Sequence, residues 1–348
     1  MQTSLLRLLL PVCLGLTAVH AATQTSDIQG FIQTTAPAGT DTLVSPVFGR
    51  AAVWAGAAQG VAGNWLTVAG APAWTADRYA PAADTYYVRV LGGALQGQFL
   101  TVASNTAAAL LVDSGGLDLG RIAAGDRLEL VPYWTLGTLY PASRAGVSFI
   151  ASTSSLARQT ELFFYDASGT GINRAPAASY YFYNGAWRRV GSPVTSSFNA
   201  VIVPPDAYFL HRNKAAATTL TQLGRVHPGK LATLLETRPG SAQDNFVAVA
   251  WPLGLTLRQT GLAGSAGFAA SASALARTDE LYVYDSAQTG TNRAPGATYY
   301  YYNGGWRKVG VSAATDFSDG VVLAAGGGFV VRRAAGGTTG AWIFDTNL

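Results

Sequence analysis

The segment Leu156–Gly191 returns as Leu275–Gly310 at a constant offset of 119, with 23 of 36 positions identical. A gapless match of that length means two copies of one structural unit, so any fold proposed for the first copy must also suit the second. A fainter echo sets Pro37-Ala-Gly-Thr-Asp41-Thr-Leu-Val44 against Pro239-Gly-Ser-Ala-Gln-Asp244-Asn-Phe-Val247. Each unit then opens with a Pro/Gly turn, an Asp and an apolar strand. From Asp41 to Leu156 is 115 positions, whereas from Asp244 to Leu275 is 31, so the first unit carries 84 more. That is the size of a small domain, and it is expected over residues 50–133.

Inside the insert, apolar residues alternate in short runs: Trp65–Val68, Tyr86–Val90, Phe99–Val102, Leu110–Val112 and Leu128–Leu130. Between them stand Gly92-Gly93, Ser104-Asn105, Ser114-Gly115-Gly116 and Ala124-Gly125-Asp126, residues that tolerate left-handed backbone or cap a bend with their own side chains. Short strands at this spacing predict a small barrel or sandwich. Helical periodicity is confined to Leu220–Leu235, where a turn or two of helix is expected around the break at Pro228-Gly229. The expected fold class is therefore all-β: two related β-sandwich-like units, residues 22–215 and 216–348, the first with an inserted small β-barrel.

The N-terminus points to export. Arg7 gives a basic start, Leu8 to Val19 form an apolar run, and Val19-His20-Ala21 supplies small residues for cleavage, so residues 1–21 read as a signal peptide. The run is shorter than the roughly 20 apolar residues of a spanning helix, and no integral membrane segment is expected after cleavage. The only cysteine, Cys13, lies inside this segment, which leaves a fold without disulfides. Charged residues make up 12% of the chain, well below the usual quarter or so. After loss of Arg7, 22 basic residues face 19 acidic ones, scattered instead of clustered into runs that track phosphates, so nucleic acid is not an expected partner.

Each copy contains an aromatic hairpin, Tyr180–Val190 and Tyr299–Val309, in which Asn184-Gly185 and Asn303-Gly304 fit a two-residue type I′ turn. In that register Phe182 faces Trp187 and Tyr180 faces Arg189, while Tyr181, Tyr183, Arg188 and Val190 lie on the opposite side. Either face could be the core. If the first face is open, Tyr180, Trp187 and Arg189, with Tyr299, Trp306 and Lys308 in the second copy, form candidate ligand-binding platforms for sugar rings. If it is closed, the same rings fill a sandwich core poor in Leu and Ile. Before each hairpin runs a loop, Asp166 to Pro176 and Asp285 to Pro295; with one carboxylate apiece these fit Asx-type turns better than calcium sites, which take six to eight oxygens. Arg158–Glu161 and Arg277–Glu280 are expected as surface ion pairs.

Catalytic arrangements are thin. His211 and His227 stand apart from other ligand-type residues and read as surface or strand-end positions, so no metal site is expected. Gly264-Ser265-Ala-Gly267 lacks the glycine two before the serine that a nucleophile elbow needs. Two carboxylates of a glycoside hydrolase could still converge from distant strands. No cofactor is expected.

The opening Ala38–Ser45, Pro132-Tyr-Trp-Thr-Leu-Gly-Thr-Leu139, Gly229–Thr233, Gln243-Asp-Asn-Phe-Val247 and the duplicated hairpin block together resemble a family of uncharacterised exported bacterial proteins. The resemblance covers nearly the whole mature chain; it implies export and lends no catalytic residues. The expected function is a secreted or cell-surface, non-catalytic protein, structural or adhesive, partnered by extracellular polysaccharide or another surface protein. The alternatives are a carbohydrate-binding module, a carbohydrate-active enzyme, and an outer-membrane barrel, the last disfavoured by many prolines and short strands.

Overall fold

The computed structural model describes residues 28–345 other than 82, 83, 228, 286 and 321; the segment read as a signal peptide, residues 1–21, lies outside them. The first unit opens with β1 (Gln29–Ala36), β2 (Thr40–Val44) and β3 (Phe48–Gly49). The insert follows as β4 (Trp54–Ala62), β5 (Trp65–Val68), β6 (Tyr86–Val90), β7 (Phe99–Asn105), β8 (Ala109–Val112) and β9 (Arg127–Pro132), which close into a barrel in the order β4-β5-β8-β7-β6-β9. All five alternating runs of the insert are strands. Their inward residues, among them Leu66, Val88, Leu100, Val102, Leu110 and Leu130, fill the barrel with side chains 0–1% exposed, as a narrow barrel requires.

The chain returns to the first unit through β10 (Trp134–Thr135) and the one-turn α1 (Leu136–Leu139), then β11 (Thr160–Phe164), β12 (Ala178–Tyr183), β13 (Ala186–Arg189), β14 (Ile202–Val203), β15 (Phe209–Asn213) and β16 (Thr218–Val226). The second unit comprises β17 (Lys230–Leu235), β18 (Gln243–Ala248), β19 (Leu255–Thr256), β20 (Glu280–Val283), β21 (Ala297–Tyr302), β22 (Gly305–Lys308), β23 (Val322–Leu323), β24 (Gly328–Arg333) and β25 (Gly340–Asp345). The sheet β13-β12-β11-β15 of the first unit matches β22-β21-β20-β24-β18 of the second. Facing them are β1-β16-β3 and β17-β25, so each unit is a two-layered sandwich.

The turn or two of helix expected within 220–235 does not form among the described residues; 220–226 are the end of β16 and 230–235 are β17. Thr218, Leu220 and Gln222 are buried and Thr219 and Thr221 less so, a period of two that overrides the weak helical spacing. Because β16 pairs with β1 along its whole length, Gln29↔Arg225 to Ala36↔Thr218, the first unit runs on past residue 216.

Both hairpins have the expected register, Tyr180↔Arg189 with Phe182↔Trp187, and Tyr299↔Lys308 with Tyr301↔Trp306. Their turns carry positive φ at both central residues, +48° and +74° at Asn184-Gly185, +47° and +73° at Asn303-Gly304. The face bearing the tryptophans points inward. Trp187 packs against Tyr140, Phe149 and Phe182, and Trp306 against Phe268 and Tyr301. The second core also takes in Val47, Phe48 and Val226 from the first unit, so the units share apolar packing.

Candidate functional site

The repeated loops decide how the units meet. Asp41 on β2 accepts the two-pronged guanidinium of Arg212 on β15, at 2.5 and 2.8 Å, and its Oδ2 also accepts the Asn292 backbone N–H, which belongs to the second unit. Asp244 on β18 does the same in mirror fashion: Arg332 donates at 2.7 and 2.9 Å, and the Asn173 N–H of the first unit donates to Oδ2 at 2.7 Å. Arg212 reaches on to Asn292 Oδ1 and Arg332 to Asn173 Oδ1. Asp41 N–H donates to Gly290 O, and Asp244 N–H to Gly171 O. Each unit thus lends its loop to the other's aspartate. The charge-assisted bonds to the buried carboxylates raise both arginine pKa values further. Asp166 Oδ1 accepts the Ser168 N–H and Asp285 Oδ1 the Ala287 N–H, the expected Asx turns, which stiffen the loops at their base.

Beside this clamp the pseudo-symmetry breaks. On one side Phe246 of β18 stacks on Tyr165, 4.2 Å between ring centres, with Arg174 and Tyr208 closing over it. Burial there pushes the Tyr165 hydroxyl up to about 12. On the other side the equivalent of Phe246 is Leu43. The equivalent of Pro204-Pro205-Asp206-Ala207-Tyr208 is Ala324-Ala325-Gly326-Gly327-Gly328. The small residues leave a groove of about 590 Å³ between β1 and β2 of the first unit and the Tyr284–Tyr299 segment of the second. Gly328 is fixed by the seam itself: a Cβ there would lie 2.6 Å from Val247 O and 2.8 Å from the ring of Tyr208. Equivalent positions meet across the seam, so only one of them can carry a large side chain.

Of the six sequence-derived candidates, only Tyr299 borders this groove, and it is 5% exposed. Tyr180 sits in the first core. Trp187 and Trp306 are 0% and 1% exposed, and the Trp187 indole N–H donates to Tyr140 O inside the protein, so their rings offer no face to a sugar. Arg189 is exposed and Lys308 half-buried at the hairpin ends. No group of three or more His, Cys, Asp or Glu able to hold a metal occurs among the described residues.

The two histidines expected at surface or strand-end positions are both buried, and His227 does stand at the end of β16. His211 is fully buried on β15, between Tyr140 and Asn213, and desolvation lowers its pKa to about 4. His227 is buried where barrel and sandwich join. Its Nδ1 stands 3.1 Å from Arg89 of β6, in a cluster where Glu129 of β9 binds Arg225 of β16 at 2.5 Å. Burial, with Arg89 and Arg225 nearby, holds the His227 pKa well below its ordinary value. These polar groups fasten the barrel to the first unit. Glu129 stands between the barrel-facing Leu128 and Leu130, so alternation reads it as outward and hides its burial against the sandwich.

No family model, curated protein or solved structure matches the chain.

Proposed function

We propose that the chain is an exported, non-catalytic extracellular or cell-surface protein, structural or adhesive, whose partner is held in the groove between the units. The partner class is extracellular polysaccharide or another surface protein. The carrying observation is how the carboxylates of the groove are engaged. It is bordered by two aspartates, Asp41 and Asp285, and Asp41 is held in a bidentate ion pair with Arg212. Glycoside hydrolysis wants two working carboxylates flanking the bond; a groove whose one carboxylate outside an ion pair, Asp285, has an oxygen held in an Asx turn suits binding. The N-terminal signal pattern and the motif resemblance support export. Among the described residues no helix is long and apolar enough to cross a membrane.

The test is co-sedimentation of the purified mature chain with insoluble polysaccharides and with intact bacterial cells. Depletion from solution without release of reducing sugar ends is expected. Release of sugar ends would replace the binding reading with an enzymatic one, and failure to bind either material would remove the adhesive role.

A further inference from the structure

The groove is narrower in its chemistry than "polysaccharide or protein", and the following rests on reading it as the ligand contact. We infer that it binds an extended segment of a neutral oligosaccharide, seated between Thr34 and Thr35 on β1 and Tyr284 of the second unit, over the Ala324-Ala325 floor.

Size comes first: about 590 Å³ lies within the ~300–1,000 Å³ range of small-ligand clefts. The wall chemistry comes second. Thr34, Thr35 and Thr42 line one side, with the Thr42 hydroxyl buried behind that wall. From the other side Asp285 engages Oδ1 in its Asx turn, and Oδ2 is left to accept. Threonines on one wall and a carboxylate on the other suit a ligand dense in hydroxyl groups, which both donate and accept. Tyr284 adds a ring on which the C–H face of a sugar can pack, with the hydroxyl as a polar handle.

Charge excludes the acidic alternatives. Anionic glycans, phosphates and sulfates call for an excess of cations, whereas the lining cation Arg293 shares the wall with the Asp285 carboxylate and turns two of its donors to Asp285 O at 2.5 Å and Asp41 O at 2.9 Å. Arg212 is committed to Asp41. The symmetry-related place serves as an internal control. There Phe246 packs on Tyr165 and Tyr208, so that side keeps the clamp and holds rings where the groove has Leu43 and Gly328.

The experiment is calorimetric titration of the full mature chain with five probes. Three are neutral hexasaccharides, of β-1,4-linked glucose, α-1,4-linked glucose and β-1,4-linked N-acetylglucosamine; the others are hexagalacturonate and an uncharged Thr/Val decapeptide. At least one neutral hexasaccharide is expected to bind. Ala324→Trp, which fills the groove from an exposed position, should weaken it about tenfold or more, and Leu43→Phe, which copies the filled side, should weaken it too. Tyr284→Ser, which takes the ring out of the wall without filling the groove, should weaken it as well. Tighter binding of hexagalacturonate or the decapeptide, affinity indifferent to all three substitutions, or no binding by any hexasaccharide would each overturn the assignment. If no hexasaccharide binds while the wild type and Ala324→Trp co-sediment equally well, the groove assignment falls and the adhesive reading stands.

Discussion

In the first unit, β11 begins at Thr160 and its neighbour on β15 is Asn213; in the second unit the same two places hold Asp279 and Arg333. Both pairs lie in the core at 0–2% exposure. The neutral pair is joined by the Thr160 hydroxyl, which donates to Asn213 Oδ1 at 2.7 Å and accepts the Ile150 N–H. His211 donates its Nε2 proton to the same Asn213 oxygen and accepts from the Tyr140 hydroxyl at Nδ1, the tautomer these partners require. In the charged pair, Asp279 accepts the Ala269 N–H, equivalent to that of Ile150, as well as the Ala334 N–H, and Arg333 Nε stands 2.6 Å away. Arg333 donates onward to Leu235 O and Thr338 O. The fold therefore demands an acceptor for one loop N–H and a bridge between two strands. It does not demand charge.

That equivalence breaks most visibly when half of the charged pair is removed. Asp279→Ala leaves a buried guanidinium without its counter-ion, and chemical denaturation should show a loss of about 3–5 kcal/mol. The acid branch of stability comes next. The pKa of His211 falls from 6.5 to about 4 on folding, so the unfolded chain binds the extra proton between those values. Its contribution is complete above pH 6.5 and is lost as pH falls toward 4. At 1.36 kcal/mol per unit, the wild type should lose roughly 3 kcal/mol more than His211→Gln across that window. The variant is needed because burial pushes Asp206 up to about 6, which favours the fold in acid. Thr160→Val should cost less, about 1–3 kcal/mol, by stranding one backbone N–H. Smallest is Glu161→Gln, which breaks the partly exposed pair with Arg158 (2.6 Å); about 0–1 kcal/mol is expected in the same denaturation series.

Much of this architecture was legible because β chemistry is local. Alternation located five of the six barrel strands, and Asn-Gly fixed the register of both hairpins. The missed strand, β4, reads Trp-Ala-Gly-Ala-Ala-Gln-Gly-Val-Ala, with side chains too small to show a period. The aspartates Asp41 and Asp244 stood out as an echo, but their partners come from the opposite copy, and one-dimensional spacing carries no such information. The groove was hidden for a related reason. It arises from differences between copies, Leu43 for Phe246 and Gly328 for Tyr208, whereas a search for repeats attends to what is shared. The burial of His211 and His227 was missed because a polar residue on or at the end of a strand reads as outward until its hydrogen-bond partners are known.

The central claim is that the two copies hold each other by exchanged loops. Amide hydrogen exchange of Asp41→Ala and Asp244→Ala, followed at Gly290–Asn292 and Gly171–Asn173, tests it without intermediaries. Removal of Asp41, in the first unit, should speed exchange at Asn292 in the second, and removal of Asp244 should speed exchange at Asn173 in the first. Faster exchange only within the unit that carries the substitution would contradict it.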